Sequence, residues 1–269
     1  MIPLLLTASI DTRGMKGAMF AAEEREKMYV DTLNLYIRKF EERCIQGKIV
    51  FAENSGWKKE AVLQKLHHSK WVEIEYIALD TDGFIQEKGK SYNELLMMDR
   101  AITQSRLIQA AKCFFKLTGR FPIQNALDLV EEAEQWGRKH GGLKFYGDCK
   151  DHKVFDLLGV NINGHVGESR YYAVSVEFWE QHFQGHYVDM CDYDGRIVEN
   201  LILDVIRKTK REQGVHCRYR TQARFTGCGG HTLGSGSSFF HSTDNDSLIV
   251  KTKLGIRQLI RWTLPWLWL

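Results

Sequence analysis

Short apolar runs alternate with amphipathic stretches over the first 142 residues, and that rhythm leaves few folds open. PLLLTAS (3–9), GKIVFAENSG (47–56), VEIEYIAL (72–79) and CFFKLTG (113–119) read as strands. Between them lie helical patterns. Residues 23–43 place Met28, Leu33, Leu35, Tyr36 and Phe40 at helical spacing among charges. Residues 58–69, 92–111 and 124–142 follow the same logic, the last ending in glycines as a C-cap should. Ser91 and Glu94 form S-x-x-E, a capping box that opens the third of these four helices. Strand followed by helix, several times over, implies a mostly parallel α/β sheet flanked by helices. In such sheets ligands gather at the carboxyl ends of the strands. The polar residues expected there are Thr7 to Ser9, Glu53 to Ser55 and Lys116 to Arg120.

After Gly142 the rhythm becomes more mixed. Residues 153–162, 169–179 and 186–190 look strand-like, residues 197–212 form a clear helical pattern, and 224–238 is a glycine-rich loop. The expected organisation is one domain over 1–250, in two halves (1–142 and 143–250), then an amphipathic tail over 251–269. In the tail, Lys253, Arg257 and Arg261 share one helical face, Ile256, Leu259 and Ile260 lie largely on the other, and three tryptophans follow. This suits the headgroup region of an anionic membrane, a helix docked on the core, or a dimer contact.

Composition removes several classes. Net charge is +3, so nucleic-acid binding would have to rest on a local patch, for which residues 207–224, with Tyr219 among the basic side chains, are the candidate. Six scattered cysteines form no C-x-x-C pair, which argues for reduced thiols rather than a disulfide framework or zinc site. The start, MIPLLLTASIDTRG, reads as a strand and not as a signal peptide, and no run approaches the roughly 20 apolar residues of a spanning helix. A cytoplasmic location follows as the expectation.

Residues 73–98 hold two well-known signals. Asp80-Thr81-Asp82 is a D-x-D, which can hold a divalent ion against a diphosphate. The same residues with Gly83 also make an ordinary Asp-rich turn, and CDYDG at 191–195 repeats the pattern. Gly83 to Ser91 approaches a P-loop, but five residues separate Gly83 from Gly89 where the motif needs four.

FAENSG (51–56), EKGKSYNE (87–94) and FFKLTGRFPIQN (114–125) follow one another at strand ends. In combination with LLLTASI (4–10) they resemble a family of bacterial glycosyltransferases of O-antigen and capsule synthesis, which carry ENSG, GKGxGE-like and KxTGRY-like elements. Ser91, Asn93 and Phe121 depart from that pattern. The resemblance implies a GT-A-like (Rossmann-like) α/β fold, a nucleotide-sugar donor, and a lipid-linked or oligosaccharide glycan acceptor reached at the inner face of the inner membrane. It implies donor contacts from Thr7, Ala8, Ser9, Glu53, Asn54, Ser55, Lys88, Gly89, Lys90, Glu94, Lys116, Thr118, Gly119, Arg120 and Asn125. Lys116 and Arg120 would offset diphosphate charge without a metal, or one of them would pair with a carboxylate such as Glu94. No metal ligand is assigned, and manganese or magnesium stays open as a cofactor.

An acceptor hydroxyl needs a general base. The candidates are Asp148, Asp151, Asp192, Asp194 and Glu199; Glu199, at the start of a helix, is the first choice and Asp194 the second, and the same position suits Glu199 for helix capping. Gly229, Gly230 and His231 are candidates for a loop over the donor or acceptor. A nucleotide-binding hydrolase or kinase, and a nucleic-acid-binding module built on 207–224, are the alternatives.

Overall fold

The computed structural model describes residues 1–15, 18–159, 165–228, 239–240, 248–264 and 267. In chain order the elements are β1 (Leu4–Ala8), α1 (Ala22–Glu42), β2 (Gly47–Glu53), α2 (Lys59–Leu63), β3 (Val72–Ala78), α3 (Lys90–Gln104), α4 (Arg106–Ala111), β4 (Cys113–Thr118), α5 (Ala126–Lys139), β5 (Phe145–Lys150), α6 (Lys153–Leu157), β6 (Val166–Ser175), α7 (Val176–His182), α8 (Val198–Thr209), β7 (Val215–His216), β8 (Gly227–Cys228), β9 (Phe239–Phe240) and α9 (Leu248–Thr263).

β1 to β7 form one seven-stranded sheet in the order β3-β2-β1-β4-β6-β5-β7, and β8 pairs with β9. The first four strands pair in parallel, β6 is antiparallel to both β4 and β5, and β7 returns to parallel beside β5. This is the expected α/β sheet with a mixed second half, consistent with a GT-A-like fold. Each strand alternates its side chains between two cores. Leu5 joins Leu95, Met98, Trp179 and Ile202 on one face, while Leu4 and Leu6 join Leu33, Phe40, Leu129 and Val130 on the other. Helices therefore cover both faces, and the central strands are buried throughout.

Several local expectations change. Residues 92–111 are two helices, because Ser105 leaves helical geometry and its hydroxyl accepts the N–H of Ile108, capping α4. Residues 153–157 are helical rather than extended, as are 186–189. The strand read over 169–179 runs from Val166 to Ser175, where Ser175 caps α7. β5 was hidden in sequence by its glycine, aspartate and lysine.

Candidate functional site

The strand order reverses at β1: β2 and β3 lie to one side of it and β4 to the other. Connections leave in opposite directions at such a point, which makes the carboxyl ends of β1 and β4 the place where open α/β sheets take ligands. The predicted pieces meet there. The Ser9 hydroxyl donates to Asn54 Oδ1 at 2.7 Å, the Gly119 N–H donates to the Thr7 carbonyl at 3.0 Å, and the Thr7 hydroxyl lies 3.4 Å from Glu94 Oε1. Ala8 pairs in register with Glu53, and Thr7 with Thr118.

Many of these residues face the chain itself rather than a ligand. The buried Glu53 carboxylate accepts the N–H groups of Ile10 (3.1 Å), Ser55 (2.9 Å) and Trp57 (3.0 Å) and the Ser55 hydroxyl. It shapes the loops after β1 and β2, and these bonds engage the carboxylate expected to contact a donor. Ser55 Oγ in turn accepts the Asp11 N–H at 2.9 Å. Gly119 leaves room for the chain's own β1: a Cβ there would stand 2.8 Å from the Thr7 carbonyl. Asn125 clamps residues 222–224, donating to the Gln222 carbonyl at 3.0 Å and accepting the Arg224 N–H at 2.8 Å.

Lys116 is fully buried in β4. Its ammonium pairs with Glu94 and donates to the Thr118 hydroxyl and the Ser169 carbonyl. Those three partners match its three N–H donors, so Lys116 anchors the floor of the rim and does not itself meet a diphosphate. The pairing foreseen for this region as the structural alternative is the one present. Burial works against the Glu94 carboxylate, yet Lys116 and Lys90 outweigh it and hold its pKa below the ordinary value.

Lys90 is half-exposed, 3.8 Å from Glu94 Oε2 and 3.7 Å from Glu199 Oε1. Burial opposes its charge, but Glu94, Glu199 and Asp192 raise its pKa, and the positive field of Arg120 reaches it too. Arg120 is buried, its guanidinium 5.0 Å from the Phe121 ring centre. Lys88, partly exposed, ends the short helical turn that leads to Gly89.

The GKS segment works differently from the capping box expected of it. Asp192, far along the chain, caps α3 by accepting the N–H groups of Lys90 (2.5 Å) and Ser91 (3.2 Å). Gly89 holds a positive φ of 86°, and a Cβ on it would meet the Asp192 carboxylate at 2.7 Å. Ser91 is free of capping its own helix and instead accepts the Val198 N–H at 3.1 Å, at the start of α8. The two helices thus cap each other. Asn93, another departure from the family pattern, bridges the Ile85 N–H (2.9 Å) and the Ile85 and Gly89 carbonyls, fixing the loop before α3.

That mutual capping places Glu199 in the first turn of α8. Its Oε1 accepts the Ser169 hydroxyl at 2.6 Å, and α8 presses onto β6 where Gly167 has no side chain. Glu199 keeps about a quarter of its side chain exposed (26%) beside Lys90. Asp194 is set apart: it is exposed, forms a forked pair with Arg196 and has its pKa lowered to about 2 chiefly by that hydrogen bonding. The second candidate for the base is thus engaged by Arg196.

Sequence reasoning missed Ser169 and the α1 pair Arg25 and Tyr29, and it weighed Asp192 as a base rather than as a cap. Arg25 donates to the Ser9 carbonyl at 2.8 Å and the Ile10 carbonyl at 3.1 Å, while the Tyr29 hydroxyl accepts the Ser9 N–H at 3.0 Å. These contacts join residues distant in the chain, and no local motif announces them. Gly229, Gly230 and His231 lie outside the described residues.

Asp80 and Asp82 form a turn in which Asp80 Oδ1 accepts the Asp82 N–H at 3.0 Å. Among the described residues no group of three or more His, Cys, Asp or Glu side chains is placed to hold a metal ion. In the basic run, Tyr219 is fully buried with its hydroxyl on the Tyr146 carbonyl, Arg218 is buried and Arg207 pairs with Asp151, so the expected stacking platform is absent. An open depression lined by Lys112, Cys113, Gly141, Lys144 and Glu180 lies at the other ends of the strands.

No family model matches the chain, and no curated protein matches it. Solved structures with similar folds include the WbbM bifunctional glycosyltransferase (12% identity, TM-score 0.39, 77% of this chain and 37% of that one) and mouse xyloside xylosyltransferase 1 (11%, 0.41, 81% and 84%). HddC from Yersinia pseudotuberculosis is similar at 13% identity and TM-score 0.41, over 84% of this chain and 93% of that one. The chain spans little more than a third of the WbbM protein. At these scores the likeness carries no argument about activity.

Proposed function

We propose that this chain is a glycosyltransferase that takes a sugar from a nucleotide-sugar donor and passes it to a lipid-linked or oligosaccharide acceptor of a bacterial surface polysaccharide. One observation carries the reading: pieces around residues 8, 54, 90 and 120, recognised in sequence as parts of one motif series, stand together at the carboxyl ends of β1, β2 and β4, where the strand order reverses. The roles divide by environment. Lys90 and Arg120 supply positive charge for the donor diphosphate and for the nucleoside diphosphate that leaves. Glu94 and Lys116 form the rigid floor beneath them. As the acceptor oxygen bonds to the anomeric carbon and the bond to the diphosphate breaks, Glu199 takes the acceptor proton. Ser91 and Asp192 hold Glu199 in place through the crossed caps.

A thermal-shift panel of UDP, GDP, CMP and dTDP, each with and without manganese, tests the binding half of this reading. At least one nucleotide should raise the melting temperature of the wild type, and Arg120→Ala should abolish that rise while still folding. No shift with any nucleotide or its sugar conjugate would overturn the reading.

A further inference from the structure

Helix α9 turns Arg261 and Gln258 inward. Arg261, only 12% exposed at its side chain, makes a two-pronged pair with buried Asp148 and donates to the Tyr219 carbonyl at 2.8 Å. One turn earlier, Gln258 accepts the Gln222 N–H at 2.9 Å and donates to the Arg220 carbonyl at 2.6 Å. The sequence alone placed Arg261 on one face with Lys253 and Arg257. The opposite face is apolar and open: Ile256 is 54% exposed, Leu259 57% and Trp262 64%. These three recur at helical spacing and form one stripe. Arg261 locks the rotation of the helix, so the stripe cannot roll inward.

We infer that this stripe is a docking surface for an anionic lipid bilayer. Charge decides the occupant. From Leu248 to Leu269 there are four basic residues and no acidic one. Arg261 is neutralised by Asp148, which leaves Lys253 and Arg257 on the helix, with exposed Arg220 beside it. A second copy docking through the same face would set these cations against their own kind, and like charges oppose such self-pairing. A surface of anionic headgroups over acyl chains matches both halves of the patch: cations to phosphate, and isoleucine, leucine and tryptophan to the boundary below. Trp266 and Trp268 continue the same composition in sequence.

Binding of a bilayer by this stripe needs no sugar, and neither does its test. Wild-type protein should float with vesicles of phosphatidylglycerol and phosphatidylcholine, bind phosphatidylcholine vesicles much less, and release as salt rises. Leu259→Glu with Trp262→Glu should weaken binding by about tenfold or more. Val188→Glu, an equal change at a site 58% exposed elsewhere, should leave it unaltered. Both altered side chains are exposed, and an unchanged melting temperature confirms the fold. Absence of vesicle binding by the wild type, equal binding to both vesicle types, or a wild-type dimer that the double variant splits while vesicle binding is unaffected would each overturn the inference.

Discussion

Asp192 caps helix α3 from 102 residues away, its carboxylate accepting the Lys90 N–H at 2.5 Å in the space that Gly89 leaves for it. Because Ser91 returns the favour to α8, the two helices that carry Lys90 and Glu199 are fixed relative to each other at their N-termini.

Removing the cap by Asp192→Ala should cost about 1 kcal/mol, within the range of lost N-caps. Gly89→Ala should cost more, since it strains a positive φ and strikes the carboxylate. In the Asp192→Ala background the collision is gone and only the strain remains. A double-mutant cycle by urea unfolding should therefore show the two changes to be less than additive, and strict additivity would mean that they do not meet.

Lys116 and Glu94 form a buried pair, and breaking it from one side leaves an ion stranded. Lys116→Met should destabilise by about 3–5 kcal/mol, whereas Lys116→Met with Glu94→Leu should cost clearly less. The pH dependence follows from the depressed pKa of Glu94. Its contribution is complete above the unfolded carboxyl value, about 4.3, and is lost as pH falls through the lower native value. Unfolding midpoints followed downward from neutral pH should fall less steeply in Glu94→Gln than in the wild type.

Arg261 holds α9 through Asp148. Arg261→Met should leave that carboxylate its bonds from Tyr171 and the Tyr219 N–H but strip away its counter-charge. The expected result is local release of α9, read as faster proteolysis within residues 248–263 with little change in the main unfolding transition. A protected helix would show that other contacts suffice.

Much of the sheet was legible in sequence because the parallel strands are buried on both faces and stand out as apolar runs, as in LLLTA and GKIVFAE. The second half was harder to read. β5 contains Gly147, Asp148 and Lys150, and its aspartate is there to receive Tyr171, Tyr219 and Arg261, partners that only the fold brings near. The same limit applies at the site. Motif order brought residues 8, 54, 90 and 120 together correctly, but not which side chains would be consumed by the protein itself. Glu53, Lys116 and Asn125 look like ligand residues because buried polar groups need hydrogen-bonding side chains as much as ligands do. Ser91 and Glu94 matched a local cap, and a distant aspartate took the role.

The central claim is sugar transfer with Glu199 as the base. Its most direct measurement is nucleoside diphosphate release from a panel of nucleotide sugars, with a lipid-linked glycan acceptor, by the wild type, Glu199→Gln and Asp194→Asn. The account predicts acceptor-dependent release by the wild type, a loss of about a hundredfold or more in Glu199→Gln, and near wild-type rates in Asp194→Asn. Wild-type protein that transfers no sugar from any donor, or a Glu199→Gln variant as fast as the wild type, would contradict it.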